Sequence, residues 1–206
     1  MVNTERKERE FNTRRAEILE HAEKIFSVKG YHNVTMAEIA CASGFSTGSL
    51  YQFFDGKENL YTSMIGEKLD LMYTEIRKTT EKASNIIDKI DTIVDAQLQF
   101  MEKNADFCRL FLKGESAVLS ETMTSLREKL IEGYLQHINF IENLLKEGIE
   151  KGLIRNLPVN DMAQSLFYLI RASSIEWMLS LNNKSPTAKK KFILDIFFNG
   201  VKTHDR

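Results

Sequence analysis

The run TMAEIACASGFSTGSLYQFF, Thr35 to Phe54, decides how this chain folds. It reads as two short helices joined by a tight turn. Thr35-x-x-Glu38 forms a capping box, in which the hydroxyl and the carboxylate each satisfy a backbone N–H that the first helical turn leaves unpaired. Val34 and Ile39 bracket the cap as a hydrophobic staple. Gly44 is placed to take the left-handed conformation that ends the first helix, and Ser46 is a fresh N-cap for the second. Thr47, Gly48, Ser49, Tyr51 and Gln52 then fall on or near the exposed face of the second helix. Leu50 and Phe54, four apart, point inward.

Such a helix suits the floor of a DNA major groove. Its free N–H groups and dipole attract phosphate, and Gly48 has no side chain to hold a backbone away. Ser and Thr hydroxyls reach base edges and phosphates, Gln reads adenine bidentately, and the Tyr51 hydroxyl reaches phosphate. A helix-turn-helix serving only as structure in a bundle uses the same caps, so the physics of the run alone leaves both readings open.

Working outward, the 206 residues suffice for one small and one larger domain with ample core. Hydrophobic content of 43% with only 10 Gly and 2 Pro favours a folded, helical chain over a disordered or all-β one. The charged N-terminus lacks the apolar run of a signal peptide, and no stretch approaches a membrane span. The expectation is a soluble, cytoplasmic protein without membrane contact, in which Cys41 and Cys108 are reduced thiols. The net charge of −1 does not advertise nucleic-acid binding. Residues 1–60 carry eight Lys/Arg against nine Asp/Glu, so the positions of the charges matter more than their balance. Arg6, Lys7, Arg9, Arg14 and Arg15 cluster early, either as a groove-tracking arm or as a solvated tail interleaved with Glu5, Glu8 and Glu10.

Around the motif, a first helix is predicted from about Thr13 to Lys29, stopped by Gly30. Asp55 and Glu58 suggest a second capping box opening a long helix through Met64, Leu69, Met72 and Ile76. Lys57 in its first turn opposes the dipole preference for acids, which a phosphate partner would explain and a solvated lysine would also fit. Further helices are predicted from Ile86 to Asn104, from Asp106 to Lys113 before Gly114, and from Ser120 to Glu147 closed by Gly148 and Gly152. After Pro158, Asn160 or Asp161 caps a helix from Asp161 to Leu181 that is apolar nearly all round. The last helix runs from Pro186 to about Lys202. The fold expected is all-α, with about nine helices.

The residues Thr35-M-A-E-Ile39-Ala40-x-x-x-Gly44-F-Ser46-T-Gly48-S-Leu50-Tyr51-Q-F-Phe54-x-x-Lys57-Glu58-x-Leu60 resemble the DNA-binding domain of the TetR (tetracycline-repressor-like) family of bacterial transcription regulators. The resemblance implies a three-helix helix-turn-helix domain over residues 12–72 and a ligand-binding and dimerisation bundle over 73–206. It places Ser46, Thr47, Ser49 and Gln52 near bases, Thr35, Tyr51 and Lys57 on phosphates, and Gly48 where the backbone approaches DNA closely. Phe53 departs from the family, which usually has a Tyr or His there that bonds the DNA backbone; Phe cannot donate. The resemblance also implies a homodimer joined by its last two helices, with Ser173, Ser174, Trp177, Phe192, Ile196 and Phe197 at the interface. An ordinary monomeric bundle core is the plainer reading of those side chains.

Met72, Phe100, Phe107, Phe111, Met123, Tyr134, Phe167 and Tyr168 are candidates to line an effector pocket between helices, with Arg171 for a polar end; plain core explains the same stripe. Arg171 and Glu176 sit inside an apolar helix and need partners in either case. His21, His32, His137 and His204 are scattered, and His137 on its apolar helix reads as a satisfied core histidine. No Cys-x-x-Cys pair and no phosphate-binding glycine loop occurs, so neither metal, cofactor nor enzymatic activity is expected. The function expected is a sequence-specific transcription regulator, most simply a repressor that a small, largely apolar ligand releases from a palindromic operator. The alternative is a helical small-molecule binding protein whose helix-turn-helix is merely structural, with an all-α enzyme behind it.

Overall fold

The computed structural model describes residues 2–118, 124–179 and 185–201. Among these residues the regular elements are all helical, with no strand. Nine α-helices and one short 3-10 segment follow in order: α1 Val2–Lys29, α2 Met36–Ser43, α3 Thr47–Leu50, α4 Lys57–Thr80, α5 Ile86–Lys103, α6 Ala105–Val118, α7 Thr124–Glu150, α8 Val159–Leu179, the 3-10 turn Pro186–Lys189, and α9 Lys190–Val201.

The chain divides into two compact units. The first joins residues 1–68 to 106–128, and the second joins 69–105 to 129–206. Relative to the expected division at 72/73, α6 groups with the N-terminal helices. In the first unit α1 packs on α2 and α2 on α3. Ile18, Ala22, Phe26, Val34, Ile39, Leu50, Leu60 and Ile65 make its core, each essentially without exposure. Phe26 sits edge-on to Tyr61 with ring centroids 5.1 Å apart. In the second unit α5, α8 and α9 pack on one another. Lys190 of α9 clamps Asp91 of α5 at 2.6 Å.

Several helix limits differ from those predicted, each for a physical reason. Helix α1 begins at Val2 rather than Thr13: an Arg6–Glu10 ion pair at 2.9 Å holds its first turns, and Phe11 has an aromatic partner in Phe53. Helix α4 starts at Lys57 after Gly56, whose φ of 139° lies where other residues are strained, so an Asp55 cap gives way to glycine. Helix α6 continues through Gly114 to Val118, because the residues that follow favour helix and nothing there forces a left-handed turn. Gly148 does not end α7. It is buried inside it, where an added Cβ would come within 2.6 Å of Ile154 and 3.1 Å of Ile86; Gly152, with φ 69°, makes the turn. Helix α8 begins at Val159, directly after Pro158, with Asn160 and Asp161 inside its first turn.

Candidate functional site

The first unit presents the helix-turn-helix as a braced turn. The Thr35 N–H donates to Glu38 Oε2 at 2.9 Å and the Glu38 N–H to Thr35 Oγ1 at 3.3 Å, completing the capping box. Lys29 Nζ adds a bond to Glu38 Oε1 at 2.6 Å. That ammonium first, then the Thr35 N–H and hydroxyl, pull the Glu38 carboxyl down to about 2. The Thr35 hydroxyl is itself bonded to Glu38 Oε2, so it serves the fold of α2 before any phosphate. Gly44 takes φ 74° and its N–H turns back to the carbonyls of Ala40 and Cys41, which sets the sharp angle into α3.

Helix α3 is only one turn long. Tyr51, Gln52 and Phe53 follow in a tighter turn, with Gln52 N–H on the Ser49 carbonyl and Phe53 N–H on that of Leu50. So short a helix has little dipole, so phosphate attraction here comes from side chains and first-turn N–H groups more than from a macrodipole. Ser46 Oγ accepts from the Ser49 N–H at 3.1 Å and lies 2.8 Å from Ser49 Oγ, so these two hydroxyls cap one another. Thr47, Gly48, Tyr51 and Gln52 are exposed around a fully buried Leu50. A Cβ on Gly48 would meet nothing of its own chain nearer than Ser46 Oγ at 4.0 Å, and its φ is not left-handed. Nothing among the described residues requires glycine there.

Lys57 and Phe53 are both engaged within the fold. Lys57 Nζ donates to the backbone carbonyl of Tyr31 at 3.0 Å and more weakly to that of His32 at 3.4 Å, and lies 4.5 Å from the centre of the Tyr31 ring. It pins the corner between α1 and α2. Phe53 has its ring stacked on Phe11 of α1, centroids 4.6 Å apart, with Phe45 edge-on at 6.2 Å. Arg15, four residues on, lays its guanidinium over Phe54 at 5.1 Å and pairs with Glu67. These contacts fix the long α1 against the recognition turn. Lys7 and Arg14, which share the Phe11 face of α1, are exposed.

The residues expected to line one pocket fall in both units. Phe107 and Phe111 belong to the first, stacked with centroids 6.1 Å apart. Met72, Phe100, Tyr134, Phe167, Tyr168 and Arg171 belong to the second. Met123 lies outside the described residues. Tyr134, Phe167 and Tyr168 do come together: Phe167 is edge-on to Tyr134 at 5.1 Å and to Tyr168 at 5.4 Å. Tyr168 is half exposed, whereas Met72, Phe100 and Phe167 are buried.

Sequence reasoning missed the polar centre of this cluster. His137 is fully buried, stacked on Tyr73 at 4.7 Å and edge-on to Phe167 at 6.2 Å. Neither ring nitrogen has a hydrogen-bond partner among the described residues, so it is not the satisfied core histidine expected. Burial first, then the nearby Arg77 charge, hold it neutral with a pKa of about 4. Its burial is legible in the sequence, because His137 lies three residues after Tyr134 and four before Ile141 on the stripe that faces inward; the lack of partners for its nitrogens is not.

Of the residues expected at a dimer interface, Ser173, Ser174 and Phe197 are buried within their own chain, and Ser174 donates to the Ile170 carbonyl at 2.7 Å. Trp177 is half-buried. Phe192 and Ile196 are exposed, at 58% and 47%. Beside them Leu157, Met162, Leu169, Ile196 and Phe197 line an open groove of about 340 Å³ between α8 and α9. Among the described residues, no three of His, Cys, Asp and Glu gather as a metal site and no helix is long and apolar enough to cross a membrane.

Residues 18–64 match the family described as bacterial regulatory proteins, tetR family, and residues 65–194 match the family described as YsiA-like protein, C-terminal region. The chain is 20% identical over 186 residues to the fatty acid metabolism regulator protein of Bacillus subtilis, spanning 90% of this chain and 94% of that one. It is 25% identical over 144 residues to an HTH-type transcriptional repressor of Mycobacterium tuberculosis, covering 70% of each. Its fold superposes with a TM-score of 0.77 on the transcriptional regulator FadR from Bacillus subtilis in complex with stearoyl-CoA, at 20% identity over 92% of this chain and 99% of that one.

Proposed function

This chain belongs to the tetR family of bacterial regulatory proteins and is a sequence-specific DNA-binding transcription regulator, and we propose that it works as a homodimeric repressor released from a palindromic operator by a largely apolar effector. The observation that carries the DNA part is the exposed row Thr47, Gly48, Tyr51 and Gln52 on a turn whose every other feature is braced from behind. Gln52 and Thr47 read base edges, assisted by the hydroxyls of Ser46 and Ser49. Tyr51 reaches phosphate, and Gly48 lets the backbone close on the duplex. Thr35 and Lys57 act first as positioning residues, since both are bonded within the fold. Lys7 and Arg14, carried on the face of α1 that Phe11 anchors, supply phosphate contacts in place of the hydroxyl that Phe53 lacks.

A two-fold operator needs a two-fold protein. The apolar side chains left exposed on α8 and α9, Tyr168, Leu179, Phe192 and Ile196, together with the groove beside them, are the surface proposed to join two copies. The effector is proposed to enter the second unit and to be a long-chain acyl compound, the class that the FadR relative holds as stearoyl-CoA. Helix α4 contributes its first half to one unit and its second half to the other, so an effector that prefers one setting of α4 shifts the DNA-reading residues. Only a difference in affinity between the two settings drives release. The site of action is the cytoplasm, where the operator lies.

The test is selection from random double-stranded DNA, followed by measurement of the mass of the complex. Two half-sites related by a two-fold axis, bound by two or four chains, are expected. A dimer that enriches no sequence, with or without acyl compounds, would favour the reading in which the helix-turn-helix is merely structural.

A further inference from the structure

The second unit holds a buried polar spot that its fold does not explain. His137 and Phe140 lie three apart on α7; Tyr73 and Arg77 lie four apart on α4. The two pairs face each other: Tyr73 stacks on His137 at 4.7 Å, and the Arg77 guanidinium lies over the Phe140 ring at 5.8 Å. Phe167 of α8 closes the third side of the imidazole. Within this apolar wall His137 Nδ1, His137 Nε2 and Arg77 Nε are all buried without a hydrogen-bond partner among the described residues. A buried polar atom left unsatisfied is destabilising, so keeping these three is explained when something else satisfies them.

The chemistry of the spot limits what that partner is. A neutral imidazole offers one N–H donor and one acceptor nitrogen, and the guanidinium beside it offers only donors and a positive charge. The complementary group is an oxygen acceptor, anionic or strongly polarised. The rings of Tyr73, Phe140 and Phe167 fit an apolar chain attached to it. We propose that His137 and Arg77 anchor the acyl carbonyl oxygen of the effector, as a fatty carboxylate or a fatty acyl thioester, with its hydrocarbon tail against these rings. This rests on the effector reading above and assigns it residues and a ligand chemistry.

The stability of the empty protein and its affinity for ligand should therefore move in opposite directions. Purified wild type, His137→Phe and Arg77→Met are titrated calorimetrically with dodecanoate, dodecanoyl-CoA and dodecanol, and their thermal midpoints are recorded without ligand. The proposal expects at least one acyl probe to bind wild type, and His137→Phe to weaken it about tenfold or more while the midpoint stays level or rises. Arg77→Met should weaken dodecanoate more than dodecanol. Whether the acid or the thioester binds tells which source the acyl group comes from. The imidazole 15N resonances of His137 in wild type, assigned with His137→Gln, should shift on adding the acyl probe, which gives a readout even if His137→Phe does not fold.

Unchanged acyl affinity in His137→Phe, or unshifted 15N resonances in a saturated complex, would overturn the anchor and leave an effector bound elsewhere. A bound water on His137 with no acyl binding by wild type would overturn the ligand class. Operator binding measured on the same samples keeps either failure separate from failure of the regulator reading.

Discussion

Lys57→Met separates two accounts of one residue. The family resemblance puts its ammonium on a DNA phosphate, while the structure commits Nζ to the Tyr31 carbonyl at 3.0 Å, the His32 carbonyl at 3.4 Å and the Tyr31 ring at 4.5 Å. Methionine keeps most of the aliphatic stem and removes the charge and donors. The nearer bond contributes about 1 kcal/mol, and the longer one less. The cation–ring contact at a half-exposed site adds roughly 0.5–1 kcal/mol. The variant should therefore be destabilised by about 2 kcal/mol, a fall in thermal midpoint of roughly 4–8 °C for a chain of this size. Folded protein should bind operator with the salt dependence of wild type. Denaturant melts and fluorescence anisotropy of labelled operator across a salt series measure both quantities. A variant as stable as wild type, whose log–log salt slope drops by about 0.9, has lost a phosphate contact and not a staple, and would refute the structural assignment.

Other substitutions probe the remaining interface. Gly48→Ala has space and an unstrained backbone within the chain, so it should stabilise by roughly 0.5–1 kcal/mol in thermal melts and still weaken operator binding; undiminished binding would remove the close-approach role. Tyr51→Phe should lower affinity for operator and random DNA alike and reduce the salt slope by up to about one, whereas Gln52→Ala should relax sequence preference, as read by competition against scrambled duplex. Phe11→Ala removes the ring stacked on Phe53, worth roughly 0.5–1.5 kcal/mol beyond area, and should weaken operator binding by freeing the first turns of α1; hydrogen exchange over residues 2–12 should rise with it. His137, neutral in the fold with a pKa of about 4 against an ordinary 6.5, binds fewer protons than in the unfolded chain between those values. Stability should thus fall as pH drops from 6.5 to 4, by up to roughly 3 kcal/mol, and His137→Phe should flatten that part of the profile in urea melts.

The parts legible in the sequence are those where backbone chemistry is local. Thr35 and Glu38 announce their box, Gly44 its left-handed turn, and Ser46 its cap, because each bond spans three or four residues. Helix limits failed where a distant contact overruled local punctuation. Phe11 has its stacking partner 42 positions away, and Gly148, which reads as a stop, is the small residue that lets Ile154 and Ile86 pack against α7. The roles of Lys57 and Phe53 were hidden for the same reason: a lysine beside a recognition helix looks free until its carbonyl partners at 31 and 32 come into view. The candidate pocket residues fall in both units, since an aromatic stripe reports burial and not which neighbour does the burying. His137 was misjudged because a histidine on an inward stripe carries no sequence mark of whether its nitrogens are satisfied.

On the proposed reading, the row around Gly48 and Gln52 recognises a particular DNA sequence. The ratio of dissociation constants for the selected operator and a scrambled duplex of the same length, at physiological salt, measures that recognition. A sequence reader should prefer its operator by about 10³-fold or more, and lose most of that preference in Gln52→Ala combined with Thr47→Ala. A ratio near one, in wild type with and without acyl compounds, would rule out sequence reading by this row.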